Sequence, residues 1–171
     1  MGHVIIVANN FYLWPKHLKF KLICIFQFVE KFLAKEPMIS KKTKYGLKAL
    51  TYIARQESKM VAIAQISESE NIPHKFLESI LLLLRKSGFL GSKKGKGGGY
   101  YLLKEASAIY MTDVMRILEG PIAPIACVSL NYYEKCDDCK DETTCSLNKL
   151  MIQVRDANLH VFRNTTLEDL K

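Results

Sequence analysis

The sequence lacks an apolar segment long enough to cross a membrane. The apolar run from Leu22 to Val29 is shorter than the roughly 20 residues that a spanning helix needs. Glu30 and Lys31 follow this run, where a secretory signal would place small residues for cleavage. An odd count of five cysteines also argues against a secreted disulfide scaffold. We therefore expect a cytoplasmic protein that does not bind a membrane.

A catalytic arrangement is also missing. The four histidines are scattered, and none neighbours a serine or a cysteine as a catalytic triad would require. The glycines of the segment SKKGKGGG, at 92–99, precede a strand-like run, whereas a phosphate-binding P-loop follows a strand and opens a helix. A dinucleotide-binding fingerprint fails as well, because its last glycine would fall at Tyr100. We expect no enzymatic activity.

Acidic residues are absent between Glu78 and Glu105, although basic residues are frequent there. The basic residues of this interval are Arg85, Lys86, Lys93, Lys94, Lys96 and Lys104. The chain of 171 residues carries a formal net charge of +8, which favours a polyanionic partner. The alternative is a solvated basic face that only keeps the domain soluble. Because these charges lie on a predicted helix and hairpin of a size that fits a DNA groove, we favour nucleic acid.

Residues 72–103 predict a helix, a tight turn and a glycine-rich hairpin. Pro73 is typical of a first helical turn and Gly88 of a helix end, so the helix should extend from about residue 73 to about residue 87. Strand-like runs at 89–90 and 100–103 flank the basic glycine-rich segment. This pattern predicts a recognition helix followed by the wing of a winged helix-turn-helix domain.

The preceding residues predict two further helices. Ser40 can cap a helix that opens with Lys41, Lys42 and Lys44. Lysines in a first turn oppose the helix dipole, so they indicate either a phosphate partner or a merely solubilising tip. A short helix at 62–70 would then lead into the recognition helix.

Two more helices are predicted after the hairpin. Thr112 is the expected cap of a helix that Gly120 ends. A last helix should extend from about Cys145 to about Asn164, and its apolar side chains recur close to heptad spacing. They are Leu147, Leu150, Met151, Val154, Ala157, Val161 and Phe162. Such a stripe can cover its own domain, but we favour a homodimer through this helix, since paired recognition helices read two half-sites.

The expected fold is therefore mainly α with a small β-hairpin wing: a winged helix-turn-helix plus a long C-terminal dimerisation helix. We divide the chain into an atypical N-terminal extension at 1–37, a DNA-binding domain at 38–120, a cysteine-rich sensor loop at 121–146, and a dimerisation helix with its tail at 145–171. Residues 1–37 differ in character from the rest, and Met38 is the expected biological start.

Four cysteines, Cys127, Cys136, Cys139 and Cys145, follow the pattern C-x8-C-x2-C-x5-C. Thiolates grouped on a loop are soft ligands that suit zinc or an iron-sulfur cluster. The acidic residues between them should raise the thiol pKa values in the absence of metal and favour a bound cation. Zinc would form a structural site. An iron-sulfur cluster could sense redox state, nitric oxide or iron. Without a metal, the thiols could form a reversible disulfide. Four idle thiols are the remaining alternative.

Several segments together resemble the Rrf2 family of winged-helix transcriptional regulators, the group of IscR, NsrR and RirA. They are MISKKTKYGLKAL at 38–50, IPHKFLESIL at 72–81, LRKSGFLGSKKGKGGGYYL at 84–102 and NTTLEDL at 164–170. The resemblance implies a dimeric bacterial regulator whose C-terminal helices cross, with a three-cysteine cluster site beside them.

In that cluster site Cys127 would be the first ligand, Cys136 or Cys139 the second, and Cys145 the last. The five-residue gap typical of the family is kept only between Cys139 and Cys145. Asn148 stands where the IscR branch has a histidine ligand. Because asparagine is a poor iron ligand, a 2Fe-2S site that uses this histidine is not expected. Two options stay open. Cys136 could supply a fourth thiolate, or a 4Fe-4S cluster could hold an exchangeable non-cysteine ligand.

The resemblance also implies DNA contacts. Lys75, Glu78 and Ser79 would face base edges, and Lys94 would enter the minor groove. The full expected DNA-binding set is Lys41, Lys42, Lys44, His74, Lys75, Glu78, Ser79, Lys93, Lys94 and Lys96. We predict a homodimeric repressor that binds a double-stranded operator and senses through the cluster. The alternatives are the same regulator with zinc or thiol oxidation, and a small cluster-carrier or electron-transfer protein.

Overall fold

The computed structural model describes residues 39–56, 60–137 and 139–171. The expected N-terminal extension and start at Met38 lie outside the described residues. Ile39–Lys171 forms one compact unit. Within the described ranges, every helix is too short or too polar to span a lipid bilayer.

The first three helices form the helix-turn-helix. Helix α1 is Lys41–Arg55, and the Ser40 hydroxyl accepts a hydrogen bond from the N–H of Thr43, as the predicted cap requires. Helix α2 is Ile63–Glu70, and Asn71 ends it in the left-handed conformation at φ 51°. Helix α3 is His74–Lys86, directly after Pro73. The predicted start of α1 and the predicted bounds of α2 and α3 are confirmed to within a residue.

An antiparallel hairpin follows α3. Strand β1 is Leu90–Lys93 and β2 is Gly99–Leu102, with Leu90 opposite Leu102. Val61 and Tyr100 exchange two backbone hydrogen bonds of 2.9 Å, which attach the hairpin to the segment before α2. A Cβ atom at Gly99 would overlap the Val61 carbonyl, so this close approach needs glycine. The predicted wing is confirmed, and it is fixed to the helical core.

Helix α4 is Met111–Leu118, and the predicted cap at Thr112 is wrong. Tyr110 precedes the helix, while Thr112 is buried inside its first turn with its hydroxyl oxygen lacking a hydrogen-bond partner. The reason is a long-range contact: the N–H of Met111 donates to the carbonyl of Thr165 at 2.9 Å. The C-terminal tail thus satisfies the backbone N–H of Met111, the first residue of α4.

Helix α5 is Ser146–Arg163, between Cys145 and Asn164 as predicted. Short 3-10 turns occupy Ala106–Ala108, Ala126–Val128 and Glu168–Leu170. The main core lies among α1, α3, β1 and α4, and the tail residue Leu167 is fully buried in it. The fold is mostly helical with one two-stranded sheet, as expected for a winged helix.

Candidate nucleic-acid interface and cysteine group

Helix α3 has one packed face and one open face. Leu77, Ile80, Leu81 and Leu84 are buried in the core. The four side chains predicted to contact DNA from this helix, His74, Lys75, Glu78 and Ser79, are all exposed on the other side. The Ser79 hydroxyl donates to the carbonyl of Phe76, and the Phe76 ring packs edge-on against Tyr45 of α1 at 5.7 Å. The open face of α3 is thus free to contact a ligand.

The wing is linked to α3 by a side-chain contact. Arg85 near the end of the helix donates to the Ser92 hydroxyl of β1 at 3.2 Å. Lys93, Lys94 and Lys96 at the tip of the hairpin are exposed. Helix α3 and the first strand of the wing are therefore in direct contact, and both present exposed basic side chains.

The first-turn lysines of α1 have an unexpected neighbour. The Glu119 carboxylate, at the end of α4, accepts hydrogen bonds from the N–H and hydroxyl of Ser40 and from the hydroxyl of Thr43. An anion therefore already lies at this helix N-terminus, where the dipole favours one. Lys41 and Lys44 are exposed and Lys42 is half-buried. Sequence reasoning missed Glu119, because it lies 79 positions from Ser40 and has no local signal.

The structure brings together three of the four clustered cysteines. Cys145 caps α5, and its sulfur accepts from the backbone N–H of Asn148 at 3.4 Å. The sulfur of Cys127, in the 3-10 turn Ala126–Val128, accepts from the side-chain amide of Asn148 at 3.6 Å. The Cys139 thiol donates to the carbonyl oxygen of Asp141 at 3.8 Å and lies beside Cys145. We call Cys127, Cys139 and Cys145 with Asn148 the cysteine group.

Cys136 is part of the loop that carries Cys139. The N–H of Cys139 donates to the Cys136 carbonyl at 3.3 Å, which forms a tight turn between the two cysteines. The Tyr133 hydroxyl, 3.0 Å from a carboxylate oxygen of Glu142, closes the loop around them. All four thiols are half-buried.

The thiols differ in acidity. Hydrogen bonding from the Asn148 backbone N–H lowers the pKa of Cys145, which differs from the expectation that acidic neighbours raise every thiol pKa. Partial desolvation, with the hydrogen bond to Cys145 and the nearby Glu142 carboxylate, raises the pKa of Cys139. At Cys145 the hydrogen bonds from the first turn of α5 therefore outweigh desolvation and the Glu142 carboxylate in setting the pKa.

In the described ranges, the His, Cys, Asp and Glu side chains form no group of three or more that is arranged to hold a metal ion. Two sulfur atoms, those of Cys127 and Cys145, lie against the buried Asn148, and thiolates are by their chemistry ligands for soft metals. The ligand roles predicted for Cys127, Cys136, Cys139 and Cys145 stay a prediction.

Helix α5 carries an apolar seam on its outer side. We define this seam as Leu147, Leu150, Val154, Ala157 and Val161, which are alternately three and four residues apart. All five are exposed, Leu147 by 54% and Val161 by 57%. Met151 and Phe162 from the predicted stripe are half-buried, and Phe162 packs against the core. The stripe is thus two surfaces: one covers the domain, and the other is a heptad seam that the described residues leave exposed.

Comparisons with known proteins identify relatives over nearly the whole described region. Residues 39–171 match the family described as "Rrf2: Iron-dependent Transcriptional regulator". An rrf2-like HTH-type transcriptional regulator of Rhodobacter capsulatus is 40% identical over 137 residues, which are 78% of this chain and 91% of that protein.

Two solved structures share the fold. CymR (YrzC), the global cysteine regulator of B. subtilis, superimposes with a TM-score of 0.65 at 33% identity, covering 78% of this chain and 95% of that chain. IscR of T. potens gives a TM-score of 0.61 at 27% identity, covering 80% of this chain and 88% of that chain.

Proposed function

The chain belongs to the Rrf2 family of DNA-binding transcriptional regulators, and we propose that it is a homodimeric repressor that senses a signal through its cysteine group. Its relatives are regulators, which confirms that the chain is not an enzyme. The same relatives give no support to the cluster-carrier alternative. The proposal places the chain in the cytoplasm with its operator DNA.

The exposed face of α3 and the basic wing carry the DNA-binding part of the proposal. Lys75, Glu78 and Ser79 point away from the core on a helix whose other face is packed. Lysine can donate to guanine and glutamate can accept from cytosine, so this face can read base edges in the major groove. We assign phosphate and minor-groove contacts to the lysines of the wing and of the first turn of α1.

The apolar seam of α5 supports the homodimer. Exposed apolar residues at heptad spacing over four turns are typical of a helix that packs against a second helix. Two copies joined along α5 would present two recognition helices, which matches an operator with two half-sites.

An iron-sulfur cluster held by Cys127, Cys139 and Cys145 is the cofactor that we propose. The family description names iron, and IscR is a structural neighbour. When bound, the cluster would supply a redox-active, ligand-exchanging centre. Cys136 lies in the same loop and is the candidate for a fourth thiolate. Zinc on the same sulfur atoms is the alternative metal.

Thiol oxidation without metal is the second candidate, and one observation favours it. Cys139 and Cys145 are neighbours in the cysteine group, and two neighbouring thiols can form a reversible disulfide. A relative, CymR, is described as a cysteine regulator and not as an iron protein.

In either case the signal reaches DNA through α5. A signal changes DNA affinity only if it stabilises one of two protein conformations more than the other, and if the two conformations bind DNA with different affinity. Cys145 is the cap of α5 and the seam begins two residues later, so a change at the cysteines acts on the helix that sets the distance between the two recognition helices.

Anaerobic purification of the full chain tests the sensing proposal. Equal counts of iron and acid-labile sulfide per chain, with visible absorbance, would support the cluster. A colourless protein that contains zinc would contradict the cluster and indicate a structural zinc site. A metal-free protein that forms a disulfide with peroxide would contradict the cluster and indicate thiol oxidation as the sensing reaction. Selection from random double-stranded DNA tests the regulator itself, and failure to enrich any sequence would contradict it.

A further inference from the structure

Leu82 lies in the third turn of α3, on the face that the core leaves open. Its side chain is 38% exposed, whereas Leu81 and Leu84 of the same helix are fully buried. Residues three and four positions apart on a helix are neighbours, so Leu82 follows Glu78 and Ser79 along the same side. The exposed polar face of α3 therefore includes a leucine.

The surroundings of Leu82 restrict what it can contact. A single exposed leucine has no functional meaning by itself, since such side chains are common on protein surfaces. A docking site for another protein needs a contiguous apolar patch, but the helical neighbours Glu78, Arg85 and Lys86 are exposed and charged. The partner that fits Leu82 must therefore present a small apolar group among polar and charged groups.

The edge of a DNA base pair has this character. In the major groove thymine exposes a methyl group beside hydrogen-bond donors and acceptors, and an apolar side chain reads this group by direct contact. A recognition helix can present base-reading side chains at positions i, i+3, i+4 and i+7. In α3 the residues at this spacing are Lys75, Glu78, Ser79 and Leu82. Leu82 thus completes a stripe whose other three members belong to the proposed base-reading face.

We propose that Leu82 is a specificity-determining residue, which contacts the methyl group of a thymine in each half-site of the operator. This inference rests on the proposed DNA-binding face of α3 and adds a base preference to it. Lys75 and Glu78 are matched to guanine and cytosine by hydrogen bonds, whereas leucine distinguishes thymine from bases that lack the methyl group. The operator should therefore contain a thymine at a fixed distance from the base pairs that Lys75 and Glu78 contact.

Replacement of thymine by deoxyuridine tests this contact, because it removes only the methyl group from the DNA. The full chain first selects its operator from random double-stranded DNA. Each thymine position is then changed to deoxyuridine in both half-sites, and fluorescence anisotropy gives the dissociation constants of the wild type and of Leu82→Ala. Leu170→Ala is the matched control, since this leucine is 37% exposed and lies in the C-terminal 3-10 turn. Circular dichroism establishes that each variant folds.

We expect deoxyuridine at one half-site position to weaken binding by the wild type and by Leu170→Ala, by about 4-fold for each methyl group removed. Leu82→Ala should bind the thymine operator more weakly and should not distinguish thymine from deoxyuridine at that position. This loss of discrimination separates a direct contact from an effect of Leu82 on folding, which would weaken binding to every duplex equally.

Three results would overturn the inference. They are half-sites without thymine, a wild type that binds every deoxyuridine duplex as tightly as the thymine operator, and a Leu82→Ala variant that keeps the wild-type discrimination. Glu78→Gln shows whether the proposed function fails as well. If Glu78→Gln alters the selected sequence while Leu82→Ala does not alter discrimination, only the role of Leu82 is wrong. If neither variant changes the preference, or if no operator is enriched, the proposed base-reading face is also wrong.

Discussion

Arg155 on α5 donates a hydrogen bond of 2.7 Å to the carbonyl oxygen of Val128, the residue that follows Cys127. The guanidinium side chain is only 13% exposed, and Asp156 holds it from the other side at 2.8 Å. The turn that carries Cys127 is thereby tied to α5 between the seam residues Val154 and Ala157. Arg155 thus adds a second link between the Cys127 turn and α5, beside the bond from Asn148 to Cys127.

Arg155→Met should detach the Cys127 turn from α5. A hydrogen bond from a charged donor contributes about 1.5–3 kcal/mol, so we expect the free energy of unfolding to fall by about that amount, as measured by urea denaturation. The amides of Val128 and Ser129, which are hydrogen-bonded within the turn, should exchange faster with deuterium. Lys149→Met, at an exposed site on the same helix, is the control, and equal losses in both variants would contradict the assignment.

Val154→Glu should prevent dimer formation. The substitution would place two like charges in the middle of an apolar seam, which costs several kcal/mol in a paired helix. We expect the dimer dissociation constant to rise by about 100-fold or more in sedimentation equilibrium. Gln153→Glu adds the same charge at the neighbouring exposed position outside the seam and should leave the dimer intact. A dimer unaffected by Val154→Glu would move the interface away from this seam.

Local signals account for the parts of the fold that the sequence predicted. Ser40, Pro73 and Gly88 mark helix ends through effects within a few residues, so the bounds of α1 and α3 followed from the sequence. Heptad spacing likewise revealed the length of α5.

The features that were missed depend on contacts between distant segments. Thr112 lies inside α4 and does not cap it, and the N–H of Met111 is bound instead by the carbonyl of Thr165, 54 positions after Met111. No local sequence pattern marks Glu119 or Arg155, because their contacts form only when α4 and α5 pack beside segments that are distant in the sequence. For the cysteines, spacing could predict a group but not that Asn148 would link two of its sulfur atoms.

Lys94→Ala should weaken DNA binding and make it less dependent on salt. A lysine that contacts a phosphate displaces one counterion, so its removal should lower the slope of log K against log salt by about one unit. Fluorescence anisotropy with one selected DNA duplex over a range of salt concentrations measures the slope. Lys149→Ala on α5 is the control for loss of charge alone. An unchanged slope in Lys94→Ala would exclude this lysine from phosphate contact.

Glu119 should make the stability of the domain depend on acid pH. Burial by itself would raise the pKa of Glu119, but the hydrogen bonds from Thr43 and Ser40, with the nearby charge of Lys42, outweigh it and hold the pKa below its ordinary value. Because the folded-state pKa is the lower one, the stabilisation is complete above the unfolded pKa of about 4.3 and is lost as the pH falls through the folded value.

Glu119→Gln tests this dependence, since it keeps the shape and removes the charge. Glu119 is exposed and solvent screens it, so we expect the variant to be less stable by only about 1 kcal/mol at pH 7. The difference from the wild type should shrink toward zero below about pH 4, as measured by urea denaturation at each pH. Glu105→Gln, which removes another exposed carboxylate, is the matched control. A difference that stays constant with pH would mean that Glu119 stabilises α1 by shape and not by charge.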